Sequence, residues 1–399
     1  MDYKTSTISG VCSVVTDGSH FSPKSVDEGC YMVSVKDFTE YGFDFSGCRK
    51  ISELDYEALK KAGCVPEYGD ILVGKDGARY FEDIIIYRQP EKPALLSSIA
   101  ILRCNKDEVL PEYLYYLLRT PSFKKDVKDN YGSGSAIPRI ILKDFKRMLV
   151  QYPALPIQKK IVSVLEAIDT KIQTNIKIND NLEQQAQAFF QELFVDNADP
   201  EWAVGTISDL GTVVGGSTPS KAKPEYYTET GIAWITPKDL SINKSKFISH
   251  GENDITELGL KNSSATIMPE GTVLFSSRAP IGYIAVAAGE VTTNQGFKSI
   301  VPKPEIGTAF VYYFLKHNLP IIEGMASGST FKEVSGSTMK GVPAVIPDTD
   351  TIARFNDFCT PIFAQQRILE EQNQSLAALR DNLLPKLMSG EIDVSDIQL

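Results

Sequence analysis

The amino-acid sequence contains one ordered series of motifs twice, at a nearly constant spacing. The matching pairs are Met32–Phe38 with Trp234–Leu240, Gly69–Val73 with Gly271–Phe275, Tyr115–Leu118 with Tyr312–Leu315, and Gly134–Ser135 with Gly328–Ser329. A repeat of about half the chain is far longer than the unit of a solenoid protein, whose period is about 20–50 residues. The 399 residues therefore predict two domain-sized copies of one fold, each large enough for its own core.

Each copy ends in a stretch with apolar residues seven apart, which is typical of a coiled-coil helix. The predicted seam residues are Ile161, Ile168, Asn175, Leu182 and Phe189 in the first copy, and Phe355, Ile362, Leu369, Leu376 and Leu383 in the second. Helices of about 35 residues are about 50 Å long, which exceeds the width of a domain of ~150 residues. We therefore expect the two helices to pair with each other. Asn175 faces Leu-type neighbours in this prediction and fixes the register of the pair.

The predicted fold class is α/β (α+β), because strand-like runs such as Ile99–Leu102 alternate with helical segments such as Glu53–Lys60. We expect a pseudo-twofold internal repeat, with two similar globular domains separated by a long antiparallel two-helix coiled coil. The predicted boundaries are residues 1–155 for the first domain, 156–197 for the central helix, 198–350 for the second domain, 351–390 for the C-terminal helix and 391–399 for a tail.

Composition narrows the class of protein. The net charge of −10 argues against tight autonomous binding of nucleic acid, although the first 156 residues are nearly balanced in charge. The six cysteines lack disulfide-like or zinc-like spacing, so no metal site is predicted. We find no apolar run of membrane-spanning length and expect a cytoplasmic protein without a membrane partner. No catalytic constellation is recognisable, since the Gly69–Lys75 run departs from a phosphate-binding loop and the three histidines have no evident partners.

Several sequence segments resemble those of the DNA-specificity subunits of type I restriction–modification systems. Leu155–Val162 resembles the opening of that family's long helix, and Gly271–Leu274 and Leu384–Ile392 resemble its recurring phrases. The resemblance covers nearly the whole chain. The start of the second helix departs from the pattern, because Asp350–Phe355 lacks the Pro-Ile-Gln sequence found at the start of the first.

The resemblance implies a non-enzymatic recognition and scaffold subunit in which each globular domain reads one half of a bipartite site in double-stranded DNA. It also implies that the helices dock two methyltransferase subunits and set the spacing. Methylation and cleavage then belong to partner subunits, including restriction subunits in the full complex. No cofactor is expected in this chain, whereas S-adenosylmethionine, ATP and magnesium are expected in the partners. Two alternatives remain open: a structural coiled-coil adaptor that binds proteins, and a stand-alone nucleic-acid enzyme.

Candidate DNA-binding residues follow from polar side chains at matching places in the two copies. Lysine suits phosphate or guanine, aspartate suits the amino group of cytosine, and asparagine or glutamine suits adenine. The candidates are Lys36, Asp37, Lys75, Arg79, Ser97 and Ser98 in the first copy, and Lys238, Asp239, Ser277, Arg278, Asn294 and Gln295 in the second. A strand-to-loop ion pair explains each Lys-Asp pair equally well, and structural turns explain Asn294-Gln295 and Ser97-Ser98.

A glycine-serine segment beside a cation occurs in both copies. Its candidate phosphate ligands are Ser135 with Arg139, and Ser329 with Lys332. Backbone amides in such turns can surround a phosphate group. A flexible turn is the alternative interpretation.

Overall fold

The computed structural model describes residues 2–133, 138–328 and 332–395. Its contacts divide the chain into two compact units, residues 1–171 with 376–399 and residues 172–375. Two long helices, Leu155–Gln191 and Thr349–Ser389, contribute segments to both units. The predicted domain boundaries lay at the ends of these helices, whereas the contacts divide the chain within them. None of the helices in the described part of the chain is long and apolar enough to cross a membrane.

The first unit contains small, mostly antiparallel sheets. Its strands are β1 (Lys4–Thr7), β2 (Cys12–Asp17), β3 (Cys30–Val33), β4 (Arg49–Ile51), β5 (Ile71–Gly74), β6 (Ile84–Ile86), β7 (Ala94–Leu95), β8 (Ile99–Cys104) and β9 (Leu149–Tyr152). They pair in the orders β2-β8-β5-β6, β4-β3-β7 and β1-β9. The β3–β7 pair is parallel and the β1–β9 ribbon is antiparallel, with Lys4 opposite Tyr152.

Short helices cover these sheets. They are α1 (Ile8–Val11), α2 (Glu53–Lys61), α3 (Pro111–Arg119), α4 (Pro121–Asn130) and α5 (Leu142–Arg147), with a 3₁₀ turn at Val35–Asp37. Helix α2 begins where the Ser52 side chain accepts a hydrogen bond from the Asp55 backbone amide, a standard N-cap. Helix α3 has a proline in its first turn, where the missing N–H is not needed. The predicted helical segment at residues 53–60 agrees with the bounds of α2.

The second unit repeats this plan. Its strands are β10 (Ala203–Thr206), β11 (Gly211–Gly215), β12 (Tyr227–Thr228), β13 (Ile232–Ile235), β14 (Phe247–Ile248), β15 (Asn253–Ile255), β16 (Val273–Ser277), β17 (Ile281–Ala287), β18 (Thr292–Thr293), β19 (Lys298–Pro302) and β20 (Pro343–Ile346). They pair in the orders β11-β19-β16-β17-β14, β12-β15-β13-β18 and β10-β20. The parallel pair β13–β18 and the antiparallel ribbon β10–β20 correspond to β3–β7 and β1–β9.

Its short helices also match those of the first unit. They are α7 (Ile207–Leu210), α8 (Pro237–Ile242), α9 (Glu257–Lys261), α10 (Thr308–His317), α11 (Leu319–Gly324) and α12 (Gly336–Lys340), with a 3₁₀ turn at Pro224–Tyr226. The two long helices, α6 (Leu155–Gln191) and α13 (Thr349–Ser389), are here named αC1 and αC2. Helix αC1 ends in a π-helical turn at Glu192–Asp196. The predicted two-copy α/β architecture is thus confirmed in the structure.

Within each unit the segments of αC1 and αC2 pack together in antiparallel orientation. In the second unit Asn175 lies beside Asn373, and Asn179, one turn later on αC1, lies beside Gln366, earlier on αC2. In the first unit Ile161 is fully buried in the same core as Leu384 and Leu387.

The predicted heptad positions are buried or half-buried along both helices. The fully buried ones include Ile161, Asn175 and Phe355, whereas Leu182, Phe189, Leu376 and Leu383 are only partly buried. In the first helix Phe190, beside the predicted Phe189, packs more deeply, and its ring lies 5.7 Å from that of Phe355.

The prediction that Asn175 faces leucine-type neighbours is wrong. Its amide nitrogen donates to the side chains of Asn373 at 2.9 Å and Gln372 at 3.4 Å. The Gln366 side chain in turn donates to the Asn179 carbonyl at 3.3 Å, and the Asn179 side chain donates to the Gln366 carbonyl at 3.4 Å. The second unit therefore contains a polar layer in the helix pair, because polar residues of αC2 lie at the seam positions four residues after the predicted apolar ones.

A buried tyrosine in each unit binds a carboxylate on αC1. The Tyr116 hydroxyl donates to Asp169 at 2.6 Å, and its counterpart Tyr313 donates to Glu183 at 2.8 Å. Arg380 of αC2 lies 2.9 Å from Asp169, so the charge of this buried carboxylate is compensated.

In the second unit the cations come from the globular domain instead. Lys246 forms a close ion pair with Glu183, and Lys316 lies 2.6 Å from the same carboxylate. Burial alone would raise the pKa of Glu183, but these two ammonium groups lower the pKa to about 2. Burial lowers the pKa of Lys246. Each globular domain is thus joined to its own helix segments by a charged, hydrogen-bonded network.

Candidate nucleic-acid interface

A cleft of about 680 Å³ opens on the globular domain of the second unit. Its walls come from the loops that follow β13 and β16 and from the turn between β18 and β19. Five residues predicted from sequence line it: Lys238, Asp239, Arg278, Asn294 and Gln295. These positions are spread over almost 60 residues of sequence, so it is the fold that brings them to one concave surface.

Arg278 lies on the wall of this cleft, directly after β16. Its guanidinium lies 3.6 Å from the Glu333 carboxylate, and 37% of its side chain remains exposed. Lys298 lies 3.7 Å from the other oxygen of Glu333. Two cations therefore converge on one carboxylate, and the arginine retains a solvent-facing surface for a further acceptor.

Lys238 lies on the rim, and Asp239 lies beneath it. The Lys238 ammonium is exposed and lies 2.6 Å from Glu252, and this hydrogen bond raises the pKa of the lysine. The Asp239 carboxylate instead accepts hydrogen bonds from the Thr236 amide at 2.7 Å and the Glu252 amide at 2.8 Å. Because both of its oxygens bind backbone, Asp239 caps helix α8.

The first unit shows the same division of roles. Lys36 is exposed, whereas Asp37 is buried and accepts from the Ser34 amide at 2.7 Å and from the Ser34 hydroxyl at 3.1 Å. Both predicted roles for the aspartates, reading cytosine or pairing with the neighbouring lysine, need correction. The carboxylates are helix caps that fix the loop, and only the lysines face solvent.

The sequence left two interpretations open for Asn294 and Gln295, contact with a base or a structural turn, and the structure distinguishes the two residues. The Asn294 side-chain oxygen accepts from the Gly296 amide at 2.8 Å, which is a turn-forming contact. Gln295 is exposed and meets the Thr218 hydroxyl across the cleft mouth. The glutamine is therefore the member of the pair that a ligand in the cleft can reach.

Two other candidates are not available for contact with a ligand. Ser277 is fully buried, and its hydroxyl donates to the Gly296 carbonyl at 3.1 Å. Lys75 is also buried, with its ammonium 3.3 Å from Asp76 and 3.5 Å from Asp17. Both predictions are corrected for the same reason: these positions face inward at the end of a central strand.

The remaining candidates of the first unit are scattered over its surface. Arg79 is exposed and pairs with Asp83 at 2.8 Å. Ser97 and Ser98 are partly buried, and their main chains form turns in which the Ser98 carbonyl accepts from the Lys75 amide at 2.8 Å. Arg139 is exposed beside this turn. Backbone contacts therefore bring Ser98 and Arg139 close to the buried Lys75, and the DNA-binding roles of Arg79, Ser97, Ser98 and Arg139 stay predictions.

The glycine-serine segments lie partly outside the described residues, which include neither Ser135 nor Ser329. Arg139 pairs with Ser133 through the main chain, and the matching pair in the second unit is Glu333 with Ser327. The predicted match of Arg139 with Lys332 is therefore displaced by one residue. Lys332 itself is exposed. At the true counterpart position a carboxylate replaces the cation.

Aromatic residues of the cleft were missed by sequence reasoning. Trp234 and Tyr227 line the cleft with ring centroids 5.6 Å apart in an edge-to-face arrangement. The Trp234 indole donates to the Ser217 carbonyl at 3.0 Å, which fixes the ring. Trp234 lies in the first repeated motif, but the residue pattern of that motif predicted only a strand. Tyr227 lies outside the repeated motifs, so no signal in the sequence distinguished it.

Among the described residues, no group of three or more His, Cys, Asp or Glu side chains is arranged to hold a metal ion. The cleft instead offers cations, amide and hydroxyl groups and an aromatic wall. Such groups can bind phosphate and the polar edges of bases.

Comparison with known proteins agrees with this chemistry. The family model described as the type I restriction modification DNA specificity domain matches residues 1–184 and again residues 200–379. The chain belongs to this family. Each match contains the sheets of one of the two units, so the internal repeat is a repeat of the family's own domain.

Individual relatives carry the same description. The MjaIX specificity subunit of Methanocaldococcus jannaschii is 40% identical over 191 residues, which cover 46% of this chain and 44% of that protein. The HindI specificity subunit of Haemophilus influenzae is 24% identical over 84% of this chain and 88% of its own length. The crystal structure of the S subunit from M. genitalium has a TM-score of 0.56 at 16% identity, covering 97% of this chain and 96% of that one. This likeness shows a shared fold.

Proposed function

We propose that this specificity-domain protein recognises a bipartite sequence in double-stranded DNA on behalf of a type I restriction–modification complex. One observation carries the proposal: Lys238, Arg278 and Gln295 converge with an aromatic wall on a single cleft of the second domain. The first domain repeats the fold and therefore reads the other half of the site. Different polar residues on the shared frame allow the two halves to differ in sequence.

The long helices dock two methyltransferase subunits and set the spacing between the two half-sites. The partner subunits methylate adenine and, where restriction subunits join the complex, cleave DNA. S-adenosylmethionine, ATP and magnesium belong to those partners, and the chain itself acts in the cytoplasm without catalysing a reaction. The net charge of −10 is consistent with this division, because partner subunits can supply the cations that the DNA backbone requires.

Reconstitution with the methyltransferase subunit of the same system tests the proposal. The expected result is methylated adenine at one bipartite sequence, read by sequencing of the modified DNA. Arg278→Ala should weaken recognition of one half-site by about 1–3 kcal/mol, the usual range for an arginine that contacts a base. Lys340→Ala removes an exposed cation of the same unit that does not line the cleft, and it should change nothing.

Two outcomes would contradict the proposal. Methylation by the chain alone would mean that it is an enzyme. Failure to bind any specific sequence, with the partner present and assembled, would mean that the chain is a protein-binding adaptor.

A further inference from the structure

The ends of β5 and β16 occupy the same place in the two domains. The Lys75 amide donates to the Ser98 carbonyl at 2.8 Å, and the Ser277 amide donates to the Gly296 carbonyl at 2.7 Å. The next contact also repeats, since the carbonyls of Lys75 and Ser277 each accept a backbone amide at 3.0 Å. These hydrogen bonds fix the correspondence between the two loops without reference to side chains.

One step beyond this point, each domain pairs two charged residues through the main chain. The pair is Asp76 with Arg139 in the first domain and Arg278 with Glu333 in the second. The acidic and basic members have therefore exchanged places. The neighbouring positions Lys75 and Ser277 keep the same backbone hydrogen bonds, so the exchange is a local change on a shared backbone.

The side chains of the two pairs form different ion pairs. In the second domain Arg278 and Lys298 both approach Glu333, and Arg278 projects at the cleft wall. In the first domain Asp76 lies 3.3 Å from Lys75 instead. Arg139 is exposed, and within residues 2–133, 138–328 and 332–395 its guanidinium has no ion-pair partner.

Arginine and a carboxylate bind different groups on the edge of a base pair. The guanidinium fork donates two parallel hydrogen bonds to the acceptors of guanine, whereas a carboxylate accepts from the amino group of cytosine. A carboxylate that holds one side of the fork also fixes the direction of the other side. An exchanged pair therefore presents different chemistry to the same place on a half-site.

We propose that these paired positions determine base selectivity at one base pair of each half-site. In the second domain Arg278 contacts guanine, and Glu333 is a positioning residue that orients the guanidinium. In the first domain the arginine is supplied from the other member of the pair, Arg139, so the preferred base pair differs. This inference rests on the proposed function, because it assigns specificity within that DNA site.

The test compares the methylated sequences made by the parent and by variants of the full chain with the same methyltransferase subunit. Glu333→Gln keeps the size of the side chain and removes its charge. We expect discrimination at one base pair of one half-site to fall by about 5- to 150-fold, while the other half-site is unchanged. Glu333→Asp should restore part of the preference. Lys340→Gln, which neutralises an exposed cation of the same unit outside the pair and the cleft, should leave the preference as it is.

The double exchange Arg278→Asp with Glu333→Arg rebuilds the arrangement of the first domain. We expect it to replace the preferred base at that one position while methylation continues. Thermal unfolding of each variant establishes that the fold is intact, and Glu333→Gln serves as the decisive variant if the double exchange does not fold.

Some outcomes overturn the inference alone. They are a methylation pattern identical to the parent in both Glu333→Gln and the double exchange, or an even loss over all positions of the half-site. If the parent itself produces no sequence-specific methylation, the proposed function is wrong, and the inference fails with it. The parent measurement therefore distinguishes the two failures.

Discussion

Arg380→Ala is expected to destabilise the first unit strongly. The arginine and Asp169 are 7% and 8% exposed, and their nearest atoms are 2.9 Å apart. At an effective dielectric constant of about 20, a pair at this distance attracts by about 6 kcal/mol, much of which offsets the cost of burying both charges. Removing one partner leaves the carboxylate buried without compensation, which typically costs about 3–5 kcal/mol.

The repeat itself suggests the control. The positions corresponding to Asp169 and Arg380 in the second unit are Phe363 and Ala186, so this fold accepts uncharged residues at both places. Asp169→Asn keeps an acceptor for the Tyr116 hydroxyl and removes the charge. Combined with Arg380→Ala, it should recover about 0.5–3 kcal/mol of the loss, the range for coupled neighbours.

Hydrogen exchange of the full chain, followed by mass spectrometry, measures both units in one experiment. Protection of residues 376–389 should fall by about a hundredfold or more in Arg380→Ala, because 1.4 kcal/mol corresponds to a factor of ten. Residues 349–375 belong to the second unit and provide the internal reference. Equal protection of the parent and Arg380→Ala, or no recovery in the double variant, would refute the reasoning.

The other predictions concern the second unit. Phe190→Ala should lower the free energy of unfolding, measured by chemical denaturation, by about 3–5 kcal/mol. Phe189→Ala should lower it clearly less, because Phe189 is only half-buried. Equal losses would mean that Phe189 is the seam residue after all. The pKa of Glu183 is lowered to about 2 against about 4.3 unfolded, so its stabilisation is complete above pH ~5 and lost as the pH falls towards 2. Glu183→Gln should remove about 3 kcal/mol of that acid sensitivity, and an unchanged pH profile of unfolding would count against the network.

The duplicated architecture could be predicted from the sequence because strands and helices leave periodic patterns of apolar residues. A strand such as Gly271–Phe275 and a heptad helix each impose a periodic apolar pattern, and the second copy verifies the first. The pairing of the helices followed from their length alone. What the heptad count could not provide was the content of the alternate seam positions, where Gln366 and Arg380 have polar partners.

The candidate site was predicted unevenly for a related reason. Sequence shows that a polar residue follows a strand, but it does not show whether the side chain turns inward or outward. Asp239 turns inward and caps a helix, Ser277 turns inward and bonds a carbonyl, and Arg278 turns outward into the cleft. A single residue of difference at the end of β16 therefore separates a structural position from a binding position, because successive side chains in a strand alternate in direction.

The same alternation separates what the two units share at the ends of their central strands from what differs between them. The inward positions after the central strands, Lys75 and Ser277, share their backbone hydrogen bonds although one carries a charge and the other does not. The burial of Lys75 is tolerated because Asp17 and Asp76 compensate its charge. In the second unit the buried residue is the neutral Ser277, and the neighbouring Arg278 pairs with Glu333 at the cleft. The buried position and its neighbour therefore differ together between the two units: a buried lysine precedes an aspartate in the first, and a buried serine precedes an arginine in the second.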